Sequence, residues 1–189
     1  MTMDVAALNI WMERHFTRSA FRLETMQTYE VAADGTDYRR YLDGEPTWTP
    51  ERKQPWLDTL AAEAKRGLRR SRVRIVTRPV SDYTRYECEW GYAPNVAAGE
   101  DVRILDLGER DMPAVGELAD RDWWLVVDDG GTARTALMLY DAAGQFIGAQ
   151  EASDTDPYRA AAVELWAASE PFLERWRRHP ELHRNHRAA

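Results

Sequence analysis

The chain predicts one α+β (or α/β) domain, with a mixed sheet of about five strands flanked by helices. Three observations carry that reading. Helix-period segments lie toward both ends of the chain, two strand-like segments each follow a helical one, and three more strands run in succession near the middle. The length, 189 residues, suits one domain with a sizeable core. The expected boundaries are a globular body over residues 1–178 and a polar C-terminal tail over 179–189.

Residues 4–30 hold apolar clusters around Trp11, Phe16, Phe21 and Leu23, read as a helix and then a short extended or helical piece. "DGTDYRRYLDGEPTWTP" reads as a short helix ending near Gly44, then a proline-punctuated loop. The next helix has Pro55 in its expected first turn and Gly67 at its end. Trp56, Leu57, Leu60, Ala61 and Ala64 share one face of it, with Glu63, Lys65 and Arg66 largely opposite. "SRVRIVTR" then alternates as a strand does, with Val73 and Ile75 on one side and Arg72, Arg74 and Arg78 on the other. Pro79 ends that strand. Ser81 caps a helix expected to run to about Trp90, with Gly91 as terminator and Tyr83, Tyr86 and Trp90 on one stripe.

"NVAAGED" reads as a turn and "VRILDL" as the second strand. "WWLVVDDGGTARTALMLYDAAGQFIGAQ" reads as an antiparallel meander of three strands joined by two glycine-containing turns. A final helix opens at Asp156 and Pro157 and should be kinked or split by Pro171.

Composition narrows the function classes. The net charge of -7 argues against direct nucleic-acid binding as the main role. No apolar run is long enough to span a membrane, the first residues lack a leader pattern, and the single cysteine precludes an internal disulfide. A cytoplasmic location is the expectation. Eight tryptophans and eight tyrosines predict an aromatic core, with some rings available to line a pocket or a partner surface.

His179, His183 and His186 have spacings that fit one helical face, but they sit in an arginine-rich tail beside Pro180 with no carboxylate to orient them. No metal site and no cofactor are expected. Cys88 lies between Glu87 and Glu89, which disfavour a thiolate. Phosphate-binding glycine loops and a nucleophile elbow are absent from the sequence. Glu87, Glu89, Glu100, Asp101, Asp122, Asp128 and Asp129 fall near strand ends without a spacing that specifies a two-acid site.

The remaining candidates gather around residues 72–101. Arg72, Arg74, Arg78 and Arg85 have no assigned core role, and arginines beside tyrosines suit phosphate or carboxylate groups and stacked rings. The candidate ligand- or partner-binding set is Arg72, Arg74, Arg78, Asp82, Tyr83, Arg85, Tyr86, Glu100, Asp101 and Trp123. The plain alternative is that the arginines pair with neighbours such as Glu87, Glu89 and Asp101.

Two resemblances add to this. "FTRSAFRLETMQTYEV", "YLDGEP", "SRVRIVTRPVSDYTRYECEW", "NVAAGEDVRIL", "DWWLVVDD" and "DPYRAAAVELWAASEPF" resemble, in the same order, an actinobacterial (Streptomyces-type) family of unknown function. Members of that family are commonly encoded beside helix-turn-helix regulators. "WLDTLAAEAKRGLRRSRVRIV" and the later "DWWLVVDDGGTARTALMLYD" with "AVELWAASEPF" are similar to a phospholipase-D-like half-domain. That fold's His-Lys-Asp signature is missing, since no histidine lies between residues 16 and 178. The resemblance carries no activity with it. The acidic balance, the aromatic richness and the absence of a nucleophile or cofactor motif give the expectation of a non-catalytic regulatory or adaptor domain that binds a protein partner, with the family's neighbouring helix-turn-helix transcription regulator as that partner and a homodimer also open. The alternative is a sensor of a phosphate- or nucleotide-like small ligand, or an unrecognised enzyme, with an Arg/Tyr-lined pocket.

Overall fold

The computed structural model describes residues 2–30 and 35–184. The chain enters through a two-residue strand, β1 (Thr2–Met3), and helix α1 (Val5–His15). Asp4 caps α1 by accepting a hydrogen bond from the Ala7 N–H at 2.8 Å, while Arg14 and His15 lie at its negative end. Strand β2 (Ser19–Glu24) follows, then the short helix α2 (Asp37–Leu42).

Helix α3 (Pro50–Lys65) begins earlier than the sequence suggests. Pro50 takes the first turn, where its missing N–H costs nothing, and Pro55 lies inside the helix. Its inward face also differs. Leu60 is buried as expected, but Ala61 and Ala64 are exposed and Glu63 is buried. The cause is Arg70 on the next strand, whose guanidinium forms a fork on both oxygens of Glu63 at 2.6 and 2.7 Å.

Strand β3 (Arg69–Val76) leads through the Arg78–Pro79 bend into α4 (Asp82–Tyr86). Ser81 caps α4 as expected, accepting from the Thr84 N–H at 3.0 Å and donating to the Gln27 carbonyl at 2.7 Å. The helical run does not stop at Gly91. It widens into a π-type turn over residues 87–92, where the Ala93 N–H reaches the Cys88 carbonyl, and continues as α5 (Ala93–Ala97). Gly91 has no left-handed φ, so nothing in its backbone ends the helix. Gly99 does, at φ +112°, and a Cβ there would meet the Ala64 methyl at 2.8 Å.

Strands β4 (Asp101–Asp106), β5 (Trp123–Val127), β6 (Ala133–Tyr140) and β7 (Phe146–Glu151) come next. The chain closes with α6 (Asp156–Ala168), the two-residue strand β8 (Glu170–Pro171) and α7 (Phe172–Arg178), so Pro171 splits the C-terminal helix as anticipated.

Among the described residues these strands form one mixed sheet in the order β1-β7-β6-β5-β2-β3-β4-β8. The β2, β3 and β4 strands are parallel, and the remaining pairs are antiparallel, including the β5-β6-β7 meander. The class is mixed α+β, but the sheet has eight strands where about five are expected. The additional ones are β1, β8 and β2. The first two are too short to show alternation. In "SAFRLE" nearly every side chain is covered, because helices pack on both faces of the sheet there, so no period of two survives.

One face carries Phe21, Leu23, Val73, Ile75, Leu105, Trp123 and Leu125, packed against Ala161 and Leu165 of α6. Burying each large side chain in such a core stabilises by about 1.5–3 kcal/mol. The other face is divided. Toward β6 and β7, α1 covers Ala20, Val126, Ala136, Met138 and Ala149 with Leu8 and Trp11. Toward β4, the 82–97 helical run and α7 cover Val76, Val102 and Ile104. Between these two apolar patches the sheet surface is charged.

Beyond residue 178 the tail expected to be polar begins in the packed body. Leu182 is buried against the β4 patch, and the backbone N–H of Arg184 donates to Glu89 Oε1 at 2.6 Å. Residues 185–189, including His186, lie outside the described residues.

Candidate functional site

Strand register builds the charged strip. In the parallel pair of β2 and β3, Arg22 stands beside Arg72 and Glu24 beside Arg74. Across the antiparallel pair, Arg22 faces Trp124. Two adjacent arginines repel unless a carboxylate lies between them, and Glu24 does so. Its carboxylate accepts a short charge-assisted bond from Arg72 Nη1 and lies 3.7 Å from Arg22 Nε. Arg72 also donates through Nε and Nη2 to Glu100 Oε1 at 3.0 and 2.9 Å, and Asn95 holds the other Glu100 oxygen at 2.7 Å. Arg22 Nη2 donates to Asp122 Oδ2 at 3.0 Å and to the Tyr140 hydroxyl at 2.7 Å. Asp122 accepts further bonds from the Tyr29 hydroxyl at 2.7 Å and from Thr25 N–H and Oγ1 at 2.8 and 2.9 Å.

Burial disfavours ionisation of Glu24, but Arg72, then Arg22 and Arg74, outweigh it and hold the carboxyl down at about 2. Burial pushes the Tyr29 and Tyr92 hydroxyls well above their ordinary range, so they stay protonated as donors. The Tyr92 hydroxyl lies 2.8 Å from Glu24 Oε2 and 3.0 Å from Glu87 Oε2. That second contact spans five residues of one helix and is produced by the π-type turn, which gives Glu87 and Tyr92 a common face.

Arg74 is different. It is 0 % exposed, yet none of its Nε, Nη1 and Nη2 atoms has a hydrogen-bond partner. Its nearest carboxylate oxygen, Glu24 Oε2, is 3.9 Å from Nη1, and the Tyr29 ring covers one face of the guanidinium at 5.0 Å.

Above the strip opens a cleft of about 630 Å³, within the size range of small-molecule sites. Arg22, Glu24 and Arg72 form its floor. Tyr83, Tyr86 and Trp90 of the 82–92 helical segment form one wall, backed edge-on by Tyr41 and Tyr38. Trp48 and Trp56 line it from the α3 side, and Trp124, Tyr140 and Phe146 from the meander side. Arg52 and Lys53 reach it from the first turns of α3. The cleft can stack planar rings on its walls and offer both donors and acceptors at its floor.

Of the residues singled out from sequence, Arg72, Tyr83 and Tyr86 line this cleft, Glu100 anchors Arg72, and Arg74 lies against its floor. The others are elsewhere. Arg78, past the end of β3, pairs with Asp106 at 2.8 Å and Glu109 at 3.0 Å. Arg85 points to the tail, contacting the Glu181 and Leu182 carbonyls at 3.4 and 3.3 Å, with Asp82 exposed beside it at 3.8 Å. Asp101 is exposed at the start of β4. Trp123 faces the opposite side of the sheet, in the core under α6, and its Nε1 donates to the Leu118 carbonyl at 2.9 Å. The carboxylates that meet Arg72, Arg74 and Arg78 are Glu24, Glu100, Asp106 and Glu109, rather than the sequence neighbours Glu87, Glu89 and Asp101. In a parallel sheet the nearest side chain belongs to the adjacent strand, dozens of residues away.

The sequence does not mark Arg22, Glu24, Tyr29, Trp48, Tyr92 and Tyr140 as site residues, and it places Trp56 only on a helix face. One signal was available: "FRLE" puts an arginine and a glutamate at strand spacing, on the side opposite Phe21 and Leu23.

Cys88 is buried and its thiol is pushed up to about 12, chiefly by burial. His179 Nδ1 is hydrogen-bonded to Glu181 at 2.8 Å and its Nε2 lies 2.9 Å from Glu109 Oε1, and His183 stacks on Trp176. Among the described residues no group of three or more His, Cys, Asp or Glu side chains is placed to hold a metal ion, and no helix is long and apolar enough to cross a membrane.

No curated protein and no solved structure matches the chain. Residues 7–177 match the family described as domain of unknown function DUF6879. That span takes in strands β2 to β8 and the whole charged strip, so the chain belongs to the DUF6879 family.

Proposed function

We propose that the protein is a small-ligand sensor domain, with the ligand held in the cleft over β2 and β3. The observation that supports this most is the combination of a roughly 630 Å³ opening, aromatic walls and an ionic floor fixed by strand register. Buried ion pairs are a poor means of stabilising a sheet, since their desolvation cost offsets much of their attraction. Their concentration beneath an open aromatic cleft supports a role in recognition.

The test is a thermal-shift panel of ring compounds that includes adenosine, AMP, tryptophol and indole-3-acetate. A ligand at about 100 times its Kd stabilises by about 2.7 kcal/mol, which for a chain of this size is a rise of about 5–10 °C. Trp48→Ala is expected to lose that rise and Arg78→Ala to keep it, because only Trp48 lines the cleft. A panel in which nothing stabilises the protein, or a rise that survives Trp48→Ala, would sink the proposal.

A second reading keeps the protein as an adaptor for a basic helix-turn-helix regulator. It is supported by the net charge of -7 and by Val163 of α6 and Leu173 of α7, large apolar side chains left exposed. The actinobacterial origin, the neighbouring regulator and the phospholipase-D-like scaffold belong to this reading as proposals. A co-expressed pair should share one size-exclusion peak. Separate peaks at micromolar concentration count against it.

A further inference from the structure

We propose that the cleft takes a ring compound bearing one acid group, a carboxylate or a monophosphate, and that Arg74 receives that group. This rests on the cleft being a ligand site, and it names the chemistry of what enters.

A guanidinium carries five N–H donors in a planar fork. Arg22 and Arg72, its neighbours on the same strip, both have hydrogen-bonded partners, whereas Arg74 has none among the described residues. The Tyr29 ring covers a face of the guanidinium. The donors lie in its plane, so a ring stacked on the face leaves them unmatched. Leaving buried donors unmatched costs free energy, and more so for a charged group. Arg74 does not itself line the cleft: it lies one layer beneath, in contact with Tyr29 and Glu24, both of which do, so an acceptor reaches the fork when one of these side chains gives way. Carboxylate and phosphate oxygens are the acceptors whose spacing matches a guanidinium in a bidentate bond.

The charge balance limits how many acid groups fit. Arg22, Arg52, Lys53 and Arg72 among the lining residues are matched by four carboxylates, Glu24, Glu30, Asp37 and Glu87. The cleft has no cationic surplus for a polyphosphate. Beneath the floor Glu100 and Asp122 pair with Arg72 and Arg22, and Arg74 is the guanidinium of the strip left without a hydrogen-bonded partner among the described residues, which suits one acid group. The aromatic walls supply the contact for the ring.

The experiment titrates the full chain, followed by tryptophan fluorescence and calorimetry, with two matched pairs: adenosine against AMP, and tryptophol against indole-3-acetate. ATP is the polyphosphate comparison. The acid member of at least one pair should bind at least tenfold more tightly than its neutral twin, and ATP more weakly than AMP. The pair that shows the preference identifies phosphate or carboxylate. Arg74→Gln should erase the preference while leaving the neutral twin's affinity unchanged, and Arg74→Lys should restore it only in part, since an ammonium lacks the fork. Twins that bind equally, or a preference that survives Arg74→Gln, overturn the role of Arg74 while leaving the cleft as a site. If none of the four binds, the cleft reading falls as well. The comparison of twins on the unmodified protein holds even if an Arg74 variant fails to fold.

Discussion

Glu24→Gln is expected to remove about 3–5 kcal/mol of stability, read as a lower urea midpoint at unchanged slope. That is a large share of the roughly 5–15 kcal/mol by which domains of this kind are stable. The substitution keeps the shape of the side chain and removes its charge. Glu24 is 6 % exposed and lies among three guanidinium groups, Arg22, Arg72 and Arg74. Without the carboxylate, Arg72 retains Glu100 and Arg22 retains Asp122, but Arg74 loses its nearest anion. The loss comes mainly from buried charge left uncompensated.

The same group sets the acid limb of stability. Its folded carboxyl titrates at about 2, below its ordinary value of 4.5, because Arg72, Arg22 and Arg74 outweigh the effect of burial. The unfolded chain therefore takes up the proton first as pH falls. The contribution is fully present above about pH 4.5 and is lost progressively toward pH 2. Asp106, held down by Arg175 against its burial, and Glu170, held down first by Arg178, act with the same sign. The urea midpoint should fall as pH is lowered from 5 to 2, and less steeply in Glu24→Gln. A flat midpoint over that window would show that these pairs are not formed.

Trp123→Ala should cost about 3–5 kcal/mol through the cavity it leaves, a fall in Tm of about 6–20 °C. Trp123 is fully buried, its ring centroid 5.2 Å from that of Phe21 and 5.4 Å from that of Tyr158. The truncation also leaves the Leu118 carbonyl without its indole donor. Trp123→Phe is the milder companion. Because Trp123 points away from the cleft, ligand-induced stabilisation should be the same in Trp123→Phe as in the unmodified chain. A ligand response that disappears with Trp123→Phe would mean that the site lies on the α6 face.

Much of this is legible in the residues. Alternation in "SRVRIVTR" exposes a strand with an apolar side and an arginine side, because successive side chains point to opposite faces. The Ser81 cap, the meander and the split at Pro171 are local chemistry, decided within a few residues. The end of the 82–97 helical run is less legible, because a glycine stops a helix only where its φ turns positive. That happens at Gly99, where Ala64 of α3 leaves no space for a side chain.

The sequence by itself determined that Arg72 and Arg74 share a strand face, that aromatic rings follow them on a helix, and that no phosphate-binding glycine loop or nucleophile-elbow motif accompanies them. Only the tertiary structure decided which of these residues meet. Parallel pairing of β2 with β3 brings Glu24 to Arg72 and Arg74 across a gap of dozens of residues, and the covering helices seal Arg74 from water beneath the cleft. The physical reason is that sequence patterns report the direction of a side chain relative to its own element. Partners, burial and the number of hydrogen bonds left unmade depend on which element packs alongside.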